Sequence, residues 1–499
     1  MDTEPRSVEK CNEGFLHFSL WVTLNAAQVC AVKGSLRFLR GRSHVPALVT
    51  PTSSAHLPIR KFFMHLLTFL GPSPWQRQLA TLVAFLLPAL ALSVASGYSY
   101  GAVLLLLGAL FSLPRWATVW PDRATVVLAL AMLGMALLWF ALSDPRENWG
   151  RFDRSLKFAL AVPCLLFIAA FPPRARALFW GLLIGCIGVC GVALWQVHVE
   201  GAPRASGFPS NRTNAIQWGN LVLLLGAMLA VQTMALYRQL SRAVVAVAVL
   251  AVLAALNASM LSQSRGGWLA LLLAIPLVLV LFQRLRPGRL FRILAGILVA
   301  LTLVTALNWE MVETRWHLMR HEVQVYGAQR EADNSVGQRL EHWRYAWDAG
   351  REKPLTGWGM AGYLQDKARR VAAGQYQPAI MEYIYAHNEV LDVFVKTGLV
   401  GVGMLLIFYG VPIALFWPSR RRLQAMAGLP DPLKAQMVAV RLSGLCIPVL
   451  YMGFGLTQVF FAHNSGIMFY LFMNMAVWGA LLGLQQLPSG AAQSERAVS

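Results

Sequence analysis

Charge is scarce in this chain of 499 residues: 13% are Asp, Glu, Lys or Arg and 57% are hydrophobic, with a mean hydropathy of +0.53. An ordinary soluble domain carries about 25% charged residues, so the composition excludes a water-soluble globule and indicates an integral membrane protein. Acidic residues are the scarcest of all, 23 against 43 Lys and Arg, for a net charge of +20. In a membrane protein that excess belongs to the short cytoplasmic loops that orient the helices, and it does not imply nucleic acid. The six cysteines (Cys11, Cys30, Cys164, Cys186, Cys190 and Cys446) lie in the N-terminal segment or in apolar runs, without a CxxC. That distribution excludes a disulfide framework and a cysteine metal site. No paired DxD, HExxH or GxxxxGK[ST] stands in an extramembrane segment, which removes the common handles of metal-dependent and nucleotide-driven chemistry.

Long apolar runs are what the chain has in quantity. Runs of about 17–25 apolar residues cross a bilayer as helices, because every backbone polar group must be satisfied internally. The reading predicts an all-α integral membrane protein of about twelve transmembrane helices. Its expected spans are 78–96, 98–113, 124–142, 155–171, 174–197, 213–236, 243–261, 266–282, 293–308, 389–415, 438–459 and 465–485. The basic segments Arg115–Arg123, Arg174–Arg176, Arg238–Arg242, Arg284–Arg292 and Arg420–Arg422 fall at alternate gaps, which puts them and the N-terminus in the cytoplasm. The opposite face receives 143–154, 198–212, 262–265, the long segment 309–388 and 460–464. Expected divisions are an N-terminal extension 1–63 that adds nothing to the fold, helices over 64–308, a large periplasmic loop 309–388, further helices over 389–485 and a cytoplasmic tail 486–499. Residues 1–63 make neither a good span nor a signal peptide with a small-residue cleavage site, and Met64 opens a more natural start. Within the loop, Leu340, Trp343 and Trp347 share one face of a helix over 335–351, flanked by Arg339, Arg344 and Arg351. Pro354-Leu355-Thr356-Gly357 ends it.

Polar residues that could carry chemistry gather on the predicted periplasmic side. They are Arg204 to Arg212, Ser262-Gln263-Ser264-Arg265-Gly266-Gly267, and His387-Asn388 followed after nine residues by Gly398 and then Gly401. A permanently charged, bidentate guanidinium suits an anionic leaving group such as a lipid-linked pyrophosphate. Histidine, titrating near 6.5, suits deprotonation of an acceptor hydroxyl. Asp392 and Lys396 stand at i, i+4 and read as a structural pair, Glu389 is the reserve base, and Gly398 and Gly401 read as close-approach positions for a neighbouring helix. His463, in a second Ala-His-Asn without the matching glycines, is a secondary candidate.

The chain resembles the O-antigen ligase family of the O-antigen ligase/polymerase superfamily over roughly 75–485. His387-Asn388, nine residues, Gly398, two residues and Gly401 match that family's pattern without departure. Ser262-Gln263-Ser264-Arg265-Gly266 and Arg204-Ala205-Ser206-Gly207-Phe208 match two further superfamily elements, and Ser335, Arg339, Trp343, Pro354, Gly357 and Gly359 resemble its loop pattern. The resemblance implies a GT-C-like membrane glycosyltransferase at the periplasmic face of the bacterial inner membrane. Its donor would be polysaccharide on undecaprenyl pyrophosphate and its acceptor a sugar hydroxyl of the lipid A-core, joined with inversion and with no metal, nucleotide or other cofactor. By the same resemblance Arg204 and Arg265 hold the pyrophosphate and His387 activates the acceptor. Asn388, Arg339, Arg212, Ser264, His463 and Glu389 are candidate substrate contacts. The motif spacing favours a ligase over an O-antigen polymerase or a protein O-oligosaccharyltransferase. A transporter or flippase fits less well, because the polar groups gather at one surface and the halves of the chain are unlike.

Overall fold

Short polar side chains set the helix starts. In the computed structural model, which describes residues 74–142, 152–208, 214–271, 274–276, 290–329 and 332–498, Asp122, Asn214, Ser241, Asn334 and Asn388 each accept from backbone N–H groups of a first turn. The helices are α1 (Trp75–Leu90), α2 (Gly97–Phe111), α3 (Arg123–Ala141), α4 (Asp153–Ala170), α5 (Ala175–Leu194), α6 (Ala215–Leu236) and α7 (Arg242–Leu261). After a short apolar helix that starts at Arg265 come α8 (Leu290–Leu307), α9 (Trp309–Gln329), α10 (Ser335–Glu352), α11 (Gly359–Ala372), α12 (Glu389–Phe416), α13 (Asp431–Gly455) and α14 (Asn464–Val498). Nearly all described residues belong to one unit, Pro72–Leu142 with Arg154–Ser499. The other unit, Met1–Gly71 with Ser143–Asp153, falls almost wholly outside the described residues, as do the expected extension 1–63 and the candidate Arg212.

The expectation of twelve spans does not hold. Among the described residues seven helices are long and apolar enough to cross a membrane, or eight if the bent pair α8–α9 counts as one. Helix α1 has 16 residues and α2 has 15, and 16 residues rise only about 24 Å against a hydrocarbon core of about 30 Å. The expected first span is cut short by a turn in which Ser96 takes φ 51°. Helix α4 opens with Asp153, Arg154 and Lys157, which interrupts its apolar stretch. The expected span 266–282 lies partly outside the described residues. Beyond Leu307 the chain turns by 84° into α9, and Asn308 braces the corner by donating to Val304 O and Asn257 Oδ1. The chain is an all-α, polytopic membrane protein with a large helical loop, and among the described residues its candidate spans are fewer than apolar runs alone imply.

The innermost helices are α14, α13 and α6, with 89%, 83% and 78% of their apolar windows buried against 33% for α7; α7 therefore shows most of its surface to lipid. Helix α5 crosses α1 closely, since a Cβ at Gly181 or Gly185 would strike the carbonyls of Phe85 and Pro88. At one end of the bundle the connection after α6 meets the start of α13, where the Gln239 side chain donates to Pro432 O. At the opposite end the Ser465 hydroxyl donates to Gln217 Oε1 and that of Ser264 to Ile216 O.

The helical loop caps that opposite end. Helix α10 forms where its pattern places it, but it buries Glu341, His342, Tyr345, Ala346 and Ala349, while Trp347 stays exposed. Tyr345 and Ala349 join Tyr363 of α11, Ile380, Ala386 and Val395 in a small core of their own. This core rests on a break in α12. Gly398 has φ 63° and ψ −161° inside the helix, and the turn Pro354–Trp358 docks into the gap. The N–H groups of Leu399 and Trp358 donate to Pro354 O (2.7 Å) and Val395 O (2.9 Å). The expected helix-to-helix approach at these glycines is thus corrected: a Cβ on Gly398 would fall on the Leu355 carbonyl of the loop, and one on Gly401 on Thr397 of its own helix. Gly398→Ala is expected to destabilise by about 1–3 kcal/mol from this glycine-only backbone conformation alone, and by more from the collision with Leu355. Limited proteolysis of the purified variant checks this, with cleavage expected first between α10 and α11.

Candidate active site

The site starts from the turn between α7 and the helix at Arg265. Gln263 takes a left-handed φ of 56°, so the chain reverses within three residues. Ser262 Oγ donates to Ser259 O (2.6 Å) and Ser264 Oγ to Asn220 Oδ1 (2.6 Å). Both serines are fully buried, and the expected substrate contact Ser264 has its hydroxyl engaged with α6. Gly266 and Gly267 leave room for Thr457 and Asn220, where a Cβ would collide. This close packing sets Thr457, just after α13, against the start of the helix at Arg265.

The segment carrying Arg204 is pinned to the same turn. Ala205 N donates to Leu261 O (2.9 Å), Arg204 Nε to Ser262 O (3.0 Å) and Gln263 Nε2 to Pro203 O (2.8 Å). Its shape comes from Gln196, whose Oε1 accepts from Ser206 N and Gly207 N while Nε2 donates to Gly207 O. Gly207 has φ 77°, and a Cβ there would meet the Trp218 indole.

Arg204, Arg265, Arg315 and Arg339 form one electrostatic group. Burial holds the Arg204 guanidinium below its ordinary pKa, and Arg315, Arg265 and Arg339 push it the same way. Burial lowers Arg265 too, opposed by Glu322 and reinforced by Arg315. Arg339 is lowered by burial and then by Arg265. Arginine remains protonated throughout, so the group is a concentration of fixed positive charge. It is also incompletely paired: Arg265 Nη1 and Arg339 Nε are buried without a hydrogen-bond partner. Arg339 Nη1 is held by Ser335 O and Oγ, and Arg315 bonds the Gln263 amide oxygen. Beside Arg265 and Arg315 lies a groove of about 320 Å³ lined by Met260, Trp268, Met311, Trp316 and Met319.

His387 stands next to this cationic group. It takes φ 51°, a left-handed conformation that costs a non-glycine residue about 1–3 kcal/mol and is held only where the surroundings impose it. Nδ1 faces Gln458 Oε1 at 2.9 Å, so Nδ1 carries the proton and Nε2 keeps its lone pair. Nε2 is buried and has no partner. Burial pushes the His387 pKa below its ordinary 6.5; the Gln458 bond opposes this and Arg339 adds to it. The ring meets Tyr383 at 4.8 Å and His342 at 5.4 Å, both edge-on. His342 is itself fully buried with neither nitrogen bonded, and burial followed by Lys367 and His387 drives its pKa down to about 2.

The remaining candidates have other places. Asn388 caps α12 by accepting from Leu391 N (3.1 Å) and donates to Leu456 O (3.1 Å). Glu389 is buried and turns away from solvent: its Oε2 accepts from Phe460 N (2.5 Å) and Phe461 N (3.1 Å). Asp392 and Lys396 pair at 2.7 Å and tie in Ala386 N and Ile384 O. His463 faces Tyr385 at 5.5 Å, its pKa lowered to about 4 by burial, then Arg154 and His387. The structure therefore brings Arg204, Arg265, Arg339 and His387 together. Sequence reasoning missed Arg315, Glu322, His342 and Gln458. Arg315, Met319 and Glu322 stand at i, i+4 and i+7, a helical face readable in the sequence once α9 is taken as a helix.

Comparison with known proteins bears on this arrangement in two ways. An uncharacterized protein of Haemophilus influenzae is 24% identical over 384 residues, covering 76% of this chain and 92% of that protein. The family model described as O-Antigen ligase matches residues 250–406, a stretch that contains Arg265, Arg315, Glu322, Arg339, His342, His387 and the Gly398 break. With that match and the geometry in hand, the chain carries an O-antigen ligase domain in the part of the fold that joins the arginines to His387.

Proposed function

We propose that this protein is the O-antigen ligase its domain suggests. It transfers polysaccharide from undecaprenyl pyrophosphate to a hydroxyl of the lipid A-core, with inversion and without a metal, at the periplasmic face of the bacterial inner membrane. The observation that carries the reading is the meeting of guanidinium groups that keep buried, unpartnered nitrogens with a histidine whose Nε2 is free, at one end of an apolar bundle. In this reading the spans form a GT-C-like membrane part, 309–388 is the periplasmic cap, and the basic connections near Arg238 and Arg420 face the cytoplasm.

The chemistry follows from the donor. The acceptor oxygen attacks the anomeric carbon from the face opposite the pyrophosphate, the carbon–oxygen bond to phosphate breaks, and its electron pair leaves with the pyrophosphate. His387 Nε2 takes the hydroxyl proton. Arg204, Arg265 and Arg339 stabilise the charge that grows on the leaving group, an effect strengthened by the low dielectric around them. Holding both amphiphiles at the membrane edge supplies orientation.

Three outcomes are expected in vesicles containing purified protein, lipid-linked polysaccharide and lipid A-core. His387→Ala lowers ligation about 10²–10⁴-fold and Arg265→Ala about 10²–10³-fold, with normal insertion and no effect of EDTA on the wild type. Near-normal turnover by His387→Ala would remove the base assignment, and extension of lipid-linked repeats without joining to lipid A-core would favour a polymerase. The pH profile is the second check. Since His387 must be neutral and its pKa lies below 6.5, the rate stays level on acidification past pH 6.5 and falls only below it. Arg339→Gln, by removing a cation that holds the imidazole neutral, moves that acid limb to higher pH. Gln458→Leu frees the imidazole tautomer, and a loss of about 10–100-fold in turnover is expected, by analogy with other partners that orient a functional histidine.

A further inference from the structure

Glu322 is the acidic residue set within the arginine group, and its geometry is unlike that of the other buried carboxylates. Asp392 lies 2.7 Å from Lys396, Glu341 lies 2.7 Å from Arg344, and Asp366 lies 2.7 Å from Arg370. Each of these binds further groups: Ala386 N for Asp392, Tyr326 and Gln377 N for Glu341, and Tyr345 for Asp366. Glu322 Oε2, in contrast, stands 3.8 Å from Arg265 Nη2, beyond hydrogen-bond range. It is buried and has no hydrogen-bond partner, while Arg265 Nη1 is buried and unpartnered as well. Its side chain is 8% exposed, so water does not compensate it freely. A buried carboxylate is ordinarily held by close, directed bonds. This one neutralises charge at a distance and clamps nothing.

We propose that Glu322 is the built-in counter-ion of the empty arginine site, which the donor pyrophosphate must displace electrostatically from Arg265 in order to bind. The inference rests on the reading of the arginines as the pyrophosphate site. Without an anion, four guanidinium groups repel one another in a partly dry pocket, and Glu322 relieves that repulsion. With the pyrophosphate in place the same carboxylate faces an anion and weakens its hold. Departure of the pyrophosphate from the sugar adds negative charge to it, so Glu322 opposes the spent lipid pyrophosphate more strongly than the donor. It thereby favours clearing of the site, since the arginines alone would hold the more highly charged spent pyrophosphate more tightly than the donor.

The test is calorimetric titration of full-length protein in detergent with methylenediphosphonate, a non-hydrolysable pyrophosphate analogue, followed by steady-state ligation. Glu322→Gln, which keeps size and removes charge, is expected to bind the analogue about tenfold more tightly. It is also expected to lower the KM for lipid-linked donor and to deepen inhibition by undecaprenyl pyrophosphate. Glu322→Asp keeps the charge one methylene farther back and is expected to fall between the two, which preserves the test if the glutamine variant folds poorly. Arg265→Ala weakens binding in the same assay. A structural role cannot produce a gain in affinity. Equal or weaker binding by Glu322→Gln, with wild-type binding intact and dependent on Arg265, overturns the counter-ion and leaves the donor site standing. Absence of binding in wild type and variants alike overturns the donor site and the counter-ion together.

Discussion

The start of α12 is fixed by a buried carboxylate. Glu389 reaches under the connection between α13 and α14 and accepts the N–H groups of Phe460 and Phe461. Since His387 lies two residues before Glu389 and Gln458 two residues before Phe460, this clasp brings the imidazole and its amide partner to 2.9 Å. The left-handed backbone at His387, the cap made by Asn388 and the bond from Asn388 to Leu456 O all follow from that junction. A buried carboxylate tied to two amides is costly to loosen, so orientation of the histidine comes from the scaffold and is in place before any ligand arrives.

The cationic half of the site has a different origin. The turn Ser262–Arg265 and the segment Pro203–Gly207 hold one another through backbone and side-chain amides, and Gln196 shapes the second from below. The arginines thus project from stiff backbone while their heads lack full pairing. Repulsion among them is sustained by the rest of the fold, a common arrangement where binding energy is reserved for an incoming anion.

Much of this was legible in the sequence. Composition alone gave the membrane class, and helix α10 and the grouping of Arg204, Arg265, Arg339 and His387 follow from patterns visible in the chain. The number of spans was not legible, because hydropathy records apolarity and says nothing of where a helix stops: a positive φ at Ser96 ends one apolar run, and the hydrogen bonds of Asn308 bend another. Helix α9 was hidden because its face combines arginine, methionine and glutamate in place of a plain apolar stripe. Gln458 and Gln196 were hidden for another reason. Each acts through one amide bonded to a residue distant in the chain or in a loop, and neither periodicity nor charge marks such a contact. Nor did the shared face of Leu340, Trp343 and Trp347 reveal which side of α10 packs: its tyrosines and alanines join the loop's own small core, and Trp347 stays outside.

The break at Gly398 divides α12 into two leaves with separate allegiances. The first leaf, Glu389 to Thr397, gives its Val395 carbonyl to Trp358 of the cap and its Lys396 ammonium to Ile384 O, while Glu389 ties the same leaf to the connection between α13 and α14. The second leaf runs on into the bilayer with α3 and α13 as neighbours. The imidazole at the head of the first leaf is therefore held from two sides, by the cap and by the connection between α13 and α14. Gly398 lets the two leaves take different directions, so the placing of His387 is independent of the slope of the helix that follows it.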